Sequence, residues 1–576
     1  MGRFILAMLL LAVLAGLLVN PVNASTKCTV SAPVYSSTYT LKQLFNCIDN
    51  SFNNGNGYKD WDNEDGHLAW LENRVMRSYV RLYQVTGDKY YLEKLIDHAD
   101  AVLLQRDSIS GRQTYDGVSH PTWGTDGHNT LGFPVVLNDL AGNLSLEIQA
   151  VLPSHNNYTV VSISNGTNTN TYKVTSVNTH NPWNFNQNFD NLTQDTVESV
   201  VNSYTGTKTI KVKRVGPNQP ANVSGLTFAT QRYAFALHTG IIALPYAHFA
   251  DIVKNTPALN SDSRYNSKAN EYLAAAEAAL AVHDPEWEED GSRGYYRFKR
   301  GAPIWADGIV EPHNMYLNMG LAYLHLYRAT GNTLYRDRAV KMANNFKYCP
   351  PLPGYDTRAC LTVQSNGSYV WPYWWAEGAL GWTEADNLSD NTPSNPQTPD
   401  AEDLGHGGSD MEFVFEMYEN GLVFTQTDVS RFVTTVKDNI LSLYPNHPKR
   451  VNGTGDISTA SVGIYKGFSL FSKFDTQLAD KLIGHINNYD YTPLTYDAKP
   501  TTMETLAEMG YILRLNGKLR LAADADNNGQ ITVNDFRTWA INYALSTANG
   551  DPAGDFNWDG KVNLTDFGVW SNAFDQ

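Results

Sequence analysis

The chain has 576 residues, a formal net charge of -16 at pH 7 and a sequence pI near 5.3, so it is long enough for two or three domains. The acidic balance disfavours a nucleic-acid partner, because a phosphate-binding face needs a basic surplus and no Lys/Arg-rich stripe provides one. Aromatic residues make up 12% of the chain, among them 13 Trp and 33 Tyr, and such flat side chains favour stacking on sugar rings.

The N-terminus has the pattern of a secretory signal peptide. Arg3 precedes an apolar run at residues 4–19, and small residues at 22–24 precede a cleavage point. We therefore expect residues 1–24 to be removed and the protein to be secreted, with an uncleaved anchor as the alternative. No later stretch reaches the roughly 18 apolar residues of a membrane span, so no membrane contact is expected after cleavage.

Four cysteines remain after removal of this signal. Their proximity in sequence predicts two disulfides, Cys28–Cys47 and Cys349–Cys360, in an oxidising compartment. Neither spacing is that of a zinc site.

Helical periodicity begins at residue 66 and continues to residue 104, broken once by Gly87 and Asp88, which predicts an antiparallel helix pair. The break lies in LYQVTGDKYY at 82–91, and LYRATGNTLY at 326–335 repeats its LYxxTGxxxY pattern. A repeated helix–turn–helix unit indicates a repeat architecture.

Looser copies of the helix pair occur at 235–282 and 411–443, and weaker ones at 462–486 and at 502–515 with 41–52. We therefore predict a mainly α fold, an α/α toroid of about five or six helix pairs, built from residues 25–132 and 229–517. An open solenoid of helix pairs is the alternative.

Between residues 133 and 228 the apolar period changes to two, which predicts a β-rich insertion. Its expected strands lie at 144–152, 158–164, 171–177 and 208–215. Such an insertion either binds glycan or forms a wall over the groove. Just before it, the segment GTDGHN at 124–129 offers two substrate-binding candidates, His128 and Asn129.

The segment WADGIVEPHN at 305–314 brings an acid, a histidine and an amide to the start of a helix. Pro312 suits the first helical position, which places Glu311 at the cap. Near the positive helix end, His313 is expected to be a neutral base and Asn314 to polarise a carboxylate. Helix capping with a packed histidine is the alternative.

An aromatic segment at 369–377 and a glycine-rich segment at 402–412 follow. The first suggests a sugar platform, with a wedge between helix pairs as the alternative, and its candidates are Trp371, Trp374, Trp375 and, as a proton donor, Tyr373. In the second, Ser409 and Glu412 match a capping box, so Glu412 is expected to be structural. The catalytic candidates that remain there are Glu402, Asp403, His406 and Asp410.

The C-terminal tail, residues 521–576, contains two calcium-loop patterns. Oxygen ligands recur at positions 1, 3, 5, 7, 9 and 12, position 7 through its backbone carbonyl, and glycine at position 6 permits the sharp turn. Two calcium ions are therefore predicted, one held by Asp524, Asp526, Asn528, Gln530, Thr532 and Asp535, the other by Asp555, Asn557, Asp559, Lys561, Asn563 and Asp566.

The endings DFRTW at 535–539 and DFGVW at 566–570 make this duplicated tail resemble a dockerin, an EF-hand-like module of large secreted bacterial enzymes. The loops are more widely spaced than in cellulosomal dockerins, and Val533–Asn534 and Leu564–Thr565 replace the usual Ser–Thr pair. The resemblance implies polysaccharide as the substrate of the attached domain and a cohesin-like protein as a partner. The helical array is similar to the toroids of glycoside hydrolases, polysaccharide lyases and glucuronyl epimerases.

Three hypotheses follow. The first is a glycoside hydrolase with two carboxylates from Glu402, Asp403 and Asp410, in which His313 and the tryptophans orient the sugar. The second is a lyase or uronate epimerase in which His313 or His406 abstracts a proton, Tyr373 donates one, and Asn314 or Asn129 neutralises the acid. The third is a non-catalytic glycan-binding scaffold. The acidic net charge favours a neutral glycan. The candidates for an acidic-sugar subsite are Arg232, Arg293, Arg297 and Arg300.

Overall fold

The computed structural model describes Cys28 and residues 33–126, 130–131, 135–138, 144–150, 159–165, 172–178, 187–188, 210–214, 223–227, 231–349, 360–396, 400–443, 446–459, 466–487, 498–547 and 550–574. The predicted signal peptide, His128 and Asn129 lie outside these residues. None of the described helices is long and apolar enough to cross a membrane.

Most of the described chain is helical, which confirms the prediction of a mainly α protein. The main helices are α1 Thr38–Ser51, α2 Asn73–Thr86, α3 Tyr90–Leu104, α4 Ala236–Asn255, α5 Ser263–Ala281, α6 His313–Thr330, α7 Thr333–Tyr348, α8 Leu404–Glu419, α9 Gln426–Thr434, α10 Lys466–Leu470, α11 Thr476–Asn487, α12 Lys499–Leu515, α13 Val533–Asn542 and α14 Leu564–Phe574. A π-helical turn, Leu68–Glu72, leads into α2. Shorter helices span Asp107–Ser110, Pro257–Asn260 and Ala376–Leu380.

The even-numbered helices from α2 to α12 form a closed cycle of contacts. Each packs against the next, and α12 packs back against α2. Outer helices pack against this ring, α3 on α2, α5 on α4 and α7 on α6, while α1 packs on α12. The first and last inner helices therefore meet, as they do not in an open array.

The repeated LYxxTGxxxY module forms the same turn at both positions. Gly87 ends α2 and Gly331 ends α6, each with a φ of 72°, a left-handed conformation that favours glycine. In both copies the threonine hydroxyl donates to the carbonyl four residues earlier, at 2.6 Å from Thr86 and 2.7 Å from Thr330. The two modules thus connect an inner helix to its outer partner by one geometry.

Charged side chains fill part of the ring interior. Arg77 of α2 donates to Glu412 of α8 at 2.6 Å, and Arg81 bridges Glu412 and Glu508 of α12 at 3.3 Å and 2.9 Å. These groups are mostly buried, and pairing across three helices offsets the cost of removing them from water. Arg74, one turn nearer the start of α2, donates to Thr501 of α12 at 2.9 Å.

Strands occur where the insertion was predicted. One antiparallel sheet has the order β1–β2–β6 and a second the order β5–β4–β3–β7. Their bounds are β1 Val135–Asn138, β2 Leu144–Ala150, β3 Thr159–Asn165, β4 Tyr172–Asn178, β5 Gln187–Asn188, β6 Ile210–Arg214 and β7 Val223–Thr227. Short hairpins elsewhere pair β8 Trp287–Asp290 with β9 Arg293–Tyr296, β10 Thr362–Val363 with β11 Tyr369–Val370, and β12 Asn446–His447 with β13 Ser458–Thr459.

The disulfides Cys28–Cys47 and Cys349–Cys360 are both present, with Cα–Cα distances of 5.7 Å and 5.6 Å, as predicted. The first attaches the chain's beginning to α1, and the second bridges the segment that follows α7. Disulfides of this kind are typical of proteins in an oxidising compartment.

The tail repeats one arrangement twice. The Trp539 indole donates to the backbone carbonyl of Asn563 at 2.8 Å, and the Trp570 indole donates to that of Thr532 at 3.0 Å. Each half therefore binds the loop of the other. Ala523, Ala525 and Phe556 form a small core separate from that of the helical ring.

Candidate active site

A cavity of about 670 Å³ lies at the N-terminal ends of four neighbouring inner helices, α2, α4, α6 and α8. The volume suits a small ligand or one part of a larger one. Helix N-termini that converge in this way create a positive local potential, which stabilises ionised carboxylates. The lining residues are Asp65, Gly66, His67, Trp70, Leu71, Arg74, Phe235, Leu237, His238, Asn314, Met315, Tyr373, Gly405 and His406.

Asp403 and His406 contribute a hydrogen-bonded pair at the start of α8. Asp403 is the N-cap, and its carboxylate accepts the Gly405 and His406 backbone N–H groups at 2.8 Å and 3.1 Å. The His406 Nδ1 lies 2.6 Å from Asp403 Oδ2. Burial favours neutral groups, but this pairing outweighs it, so the pKa of Asp403 is lowered and that of His406 is raised. The pairing therefore favours a carboxylate at Asp403 and a protonated imidazole at His406.

The predicted capping box at Ser409 is wrong, because α8 begins at Leu404 rather than after the glycines. Gly405, Gly407 and Gly408 lie inside the helix, and α10 crosses it closely there. A Cβ on Gly467 would lie 2.1 Å from the Gly408 carbonyl oxygen. Glu412 is structural as expected, but through the ion pairs with Arg77 and Arg81 instead of a cap.

Glu402 and Asp410 are fully buried and do not line the cavity. Glu402 Oε1 accepts the Asp403 N–H at 2.9 Å, and Asp410 Oδ2 accepts the Trp371 indole N–H at 2.8 Å. Burial and the charge of Asp410 raise the pKa of Glu402 well above its usual range, and burial raises the pKa of Asp410 to about 7. Burial, together with the charge of Asp410 at Glu402, therefore favours the protonated form of these two carboxyls.

The segment before α2 supplies carboxyl groups that the sequence interpretation missed. Asp65 lines the cavity and has a φ of 51°, a left-handed conformation that is strained for a residue with a side chain. Next to it, Glu64 accepts the Asp126 N–H at 3.0 Å and forms an ion pair with Arg232. Burial and a side-chain interaction with Asp126 raise the pKa of Glu64 to about 7, against the lowering effect of Arg232, so this carboxyl is partly protonated near neutral pH.

At the start of α6, only Asn314 of the three predicted residues reaches the cavity. Its Oδ1 is buried and has no hydrogen-bond partner among the described residues. His313 is fully buried, with Nδ1 2.7 Å from the Tyr316 hydroxyl. Glu311 is buried, and burial, followed by the charge of Glu286, raises its pKa well above its usual range. The N-cap is Pro312, so the predicted cap by Glu311 is wrong.

The aromatic segment divides between cavity and core. Tyr373 lines the cavity, with its ring 5.0 Å from that of His406, and burial and then Glu402 raise the pKa of its hydroxyl. Trp371, Trp374 and Trp375 are buried. Their indole N–H groups donate to the Asp410 carboxylate and to the carbonyls of Val310 and Glu311. This burial differs from the expected exposed platform, and stacking on sugar by these three rings stays a prediction.

The arginines proposed for an acidic-sugar subsite are each paired with a carboxylate. The partners are Asp107 and Glu64 for Arg232, Asp290 for Arg293, Glu288 and Glu377 for Arg297, and Asp390 for Arg300. Arg74 lines the cavity, and its Nη1 lies 3.6 Å from Glu504. The positive charges around the described cavity are thus largely neutralised.

Within the described part of the chain, two clusters have the composition of a metal site. Ligand atoms of Glu402, Asp403 and His406 lie within 4.8 Å of one another, although the Asp403–His406 hydrogen bond uses two of these groups. Asp524, Asp526 and Asp535 of the tail form the second cluster within the same distance. Loop conformation supports the tail cluster, because Asn527 and Gly529, like Trp558 and Gly560 in the second loop, have positive φ angles.

The sequence interpretation also missed His67, Trp70, Arg74 and His238, which line the cavity with Asp65. The sequence did contain a pattern that points to Asp65 and His67. Asp65–Gly66–His67 immediately precedes the first inner helix, as Glu311–His313 and Asp403–His406 stand at the starts of later ones. In a ring of parallel inner helices, all such starts face the same end.

No protein-family model and no curated protein matches this sequence. Among solved structures, the chain is similar to a family 76 glycoside hydrolase from a bovine Bacteroides thetaiotaomicron strain. The sequences are 10% identical, the match covers 72% of this chain and 90% of the other, and the TM-score is 0.27. A TM-score and a sequence identity this low do not assign a function to this chain.

Proposed function

We propose that the chain is a secreted glycoside hydrolase, built on an α/α toroid, that cleaves a polysaccharide in the cavity at the start of its inner helices. One observation carries the proposal. Two carboxyls beside the cavity have pKa values shifted in opposite directions, that of Glu64 raised and that of Asp403 lowered, and their neighbours Asp65 and His406 line the cavity. Glu64 precedes α2 and Asp403 begins α8, and these two helices are not neighbours in the ring. Glycosidic bond hydrolysis needs such a division between an acid and an ionised carboxylate.

On the α8 side, Asp403 is the ionised carboxylate. The helix N-terminus, two backbone N–H groups and His406 all stabilise its negative charge. In this role it activates water or attacks the sugar. Glu402 and Asp410, which the sequence suggests as catalytic carboxyls, instead hold the Asp403 backbone and the Trp371 indole in position.

On the α2 side, Asp65 lines the cavity and Glu64 beside it retains a proton at near-neutral pH. This pair is the acid that protonates the leaving sugar oxygen. Asn314 and Tyr373 line the same cavity and supply hydrogen-bonding groups for sugar hydroxyls.

A polysaccharide lyase or uronate epimerase is the second candidate, because His406, Tyr373 and Asn314 of that hypothesis all line the cavity. Two observations favour the hydrolase. The pKa of His406 is raised by its pairing with Asp403, which disfavours the neutral imidazole that proton abstraction requires. The cavity's arginine, Arg74, already faces Glu504, which leaves little positive charge for a uronate carboxylate.

The tail is proposed to be a dockerin-like module that binds two calcium ions and docks to a cohesin-like partner. Its residues fit calcium, which prefers carboxylate, amide and backbone oxygens in a flexible loop. In both loops the last aspartate is buried and accepts backbone N–H groups across the loop, Asp535 from Ala525 at 2.8 Å and Asp566 from Asn557 at 3.0 Å. Bound calcium would neutralise the acidic loops and stabilise this fold.

The activity is tested with a panel of mannan, xylan, β-1,4-glucan, galactan and polygalacturonate, read both by new reducing ends and by the ultraviolet absorbance of unsaturated uronic ends. Hydrolysis produces reducing ends without absorbance, and Asp65→Asn is expected to lower the rate at least a hundredfold. Asp60→Asn is the matched control, since Asp60 is exposed and lies outside the cavity lining. Ultraviolet-absorbing products would support the lyase instead, and binding without either product would support the scaffold.

Calcium is tested by differential scanning calorimetry of the whole protein with calcium and with chelator. Chelator should lower the transition temperature of the tail, and the double variant Asp524→Ala/Asp555→Ala should have the lowered value in both conditions. An unchanged tail transition would contradict calcium binding.

A further inference from the structure

An exposed tryptophan stands beside the cavity, and neither the predicted aromatic segment nor the proposed catalytic groups include it. Trp61 is 43% exposed, and every other tryptophan in the described part of the chain is buried or half-buried. Its indole ring contacts the ring of His67 with 4.8 Å between centroids, and His67 lines the cavity. Trp61 is therefore adjacent to the cavity without forming part of its wall.

The Trp61 ring is supported from below. Tyr58 is 2% exposed and contacts the indole edge-on at 4.8 Å, while its own ring packs on Phe52 at 5.1 Å. The Tyr58 N–H donates to Glu72 at 2.7 Å, and the Trp61 N–H donates to the Tyr58 carbonyl at 2.9 Å. Because both its backbone and its underside are fixed, the indole loses little freedom when a ligand covers it.

Polar groups adjoin the ring. Asp62, the next residue, forms an ion pair with Arg112 at 2.9 Å, and both side chains are about one-third exposed. The Arg112 Nη1 is buried with no hydrogen-bond partner among the described residues. An apolar face next to fixed hydrogen-bonding groups matches the chemistry of a pyranose ring, which has C–H groups on its faces and hydroxyls around its edge.

We propose that Trp61 is the stacking platform of a second sugar subsite, which binds a neutral pyranose residue of the glycan while an adjacent residue occupies the cavity. This inference rests on the proposed glycan-hydrolysing function and adds to it. The substrate class is an oligosaccharide or polysaccharide of at least two to three sugar units rather than a glycoside with a single sugar. Surface tryptophans elsewhere often have no such role, but this one is held against His67 of the cavity wall.

A comparison of kcat/KM between a polysaccharide and a single-sugar glycoside distinguishes binding at Trp61 from binding in the cavity. The wild type, Trp61→Ala, Trp61→Tyr and Tyr90→Ala are compared on the panel polysaccharide that the wild type hydrolyses and on the nitrophenyl glycoside of the same single sugar. Tyr90 is the control because it is 44% exposed and begins α3, beyond the opposite end of α2. Trp61→Ala should lower kcat/KM on the polysaccharide about tenfold through KM and leave the nitrophenyl glycoside within about twofold, whereas Trp61→Tyr should recover most of the loss.

Affinity electrophoresis in gels that contain the same polysaccharide gives a readout without turnover, in which Trp61→Ala should migrate faster than the wild type and Tyr90→Ala should not. Equal retardation and equal kcat/KM for wild type and Trp61→Ala would overturn the subsite while leaving the hydrolase proposal intact. Equal losses on both substrates would also overturn it. A wild type that neither cleaves nor is retarded by any panel member would overturn the hydrolase proposal and the subsite together.

Discussion

The starts of α6 and α8 have similar sequences and opposite environments. Each brings an acid and a histidine to the N-terminus of an inner helix, Glu311 with His313 and Asp403 with His406. Glu311 and His313 are at most 1% exposed, whereas the side chains of Asp403 and His406 are 35% and 44% exposed. The acid of α6 has a raised pKa and that of α8 a lowered one.

The aromatic segment produces this difference. The Trp374 and Trp375 indoles donate to the carbonyls of Val310 and Glu311, so this segment covers the start of α6. The start of α8 has Gly405 at the cavity instead, where a side chain would crowd the capping carboxylate, since an added Cβ would lie 3.0 Å from Asp403 Oδ1. A residue's access to the cavity therefore depends on what packs over its helix end.

The largest expected effect comes from removing the charge at the open helix start. Asp403→Asn should lower kcat/KM by roughly 10²–10⁴-fold, because the amide cannot act as a carboxylate base. Stability should change little, since Asn is as good an N-cap as Asp. Steady-state kinetics on the hydrolysed polysaccharide, with unfolding curves for both proteins, measure the two effects.

The matched control is Asp262→Asn, which makes the same change at the N-cap of the outer helix α5, where Asp262 accepts the Arg264 N–H at 2.9 Å. Its activity should equal that of the wild type. Full activity in Asp403→Asn would show that Asp403 at the start of α8 has no catalytic role, and the starts of α6 and α8 would then not differ in function.

An intermediate effect, on stability, is expected from the buried carboxyls Glu402 and Asp410 at the start of α8. In the unfolded chain an aspartate ionises near pH 4, whereas burial raises the pKa of Asp410 in the folded protein to about 7. As pH rises from about 4 to about 7, the unfolded chain binds fewer protons than the native one. The free energy of unfolding should therefore fall across this window, by at most about 1.4 kcal/mol per pH unit for one proton.

Urea unfolding between pH 4 and 8 tests this dependence. Asp410→Asn should flatten the fall in stability, because the amide does not titrate, while the exposed control Asp60→Asn should retain it. Parallel plots of unfolding free energy against pH for Asp410→Asn and the wild type would show that Asp410 is not protonated in the folded protein. Asp410 would then be ionised like Asp403.

Local sequence patterns predicted the features that depend on neighbouring residues. The TG turn predicted where α2 and α6 end, because a left-handed glycine cap is specified within one helical turn. Alternation of apolar residues predicted β2, β3, β4 and β6 to within about two residues. Cysteine spacing predicted both disulfides.

Long-range packing decided what the sequence did not predict. The predicted cap at Ser409 placed the preceding glycines outside the helix, yet they form the start of α8, where α10 approaches the Gly408 backbone too closely for a side chain on Gly467. Asp65 and His67 were overlooked because they lie at the edge of the periodic stretch, where no local pattern marks a site, and only long-range packing brings them to the same cavity as His406 of α8. The tryptophans near 371–375 are buried because their indole N–H groups find acceptors in the core.

The smallest expected effect comes from Glu311→Gln at the covered helix start. Burial and the charge of Glu286 raise the pKa of Glu311 well above its usual range, which favours its neutral form, and glutamine has nearly the same shape and no charge. Glu311 Oε2 has no hydrogen-bond partner in the described part of the chain, so the amide breaks no bond made by that atom. Stability should change by less than about 1 kcal/mol and kcat/KM by less than about twofold. The substitution has the same chemistry as Asp403→Asn, so a similar loss of turnover in both would show that the start of α6 belongs to the site despite the tryptophans that cover it.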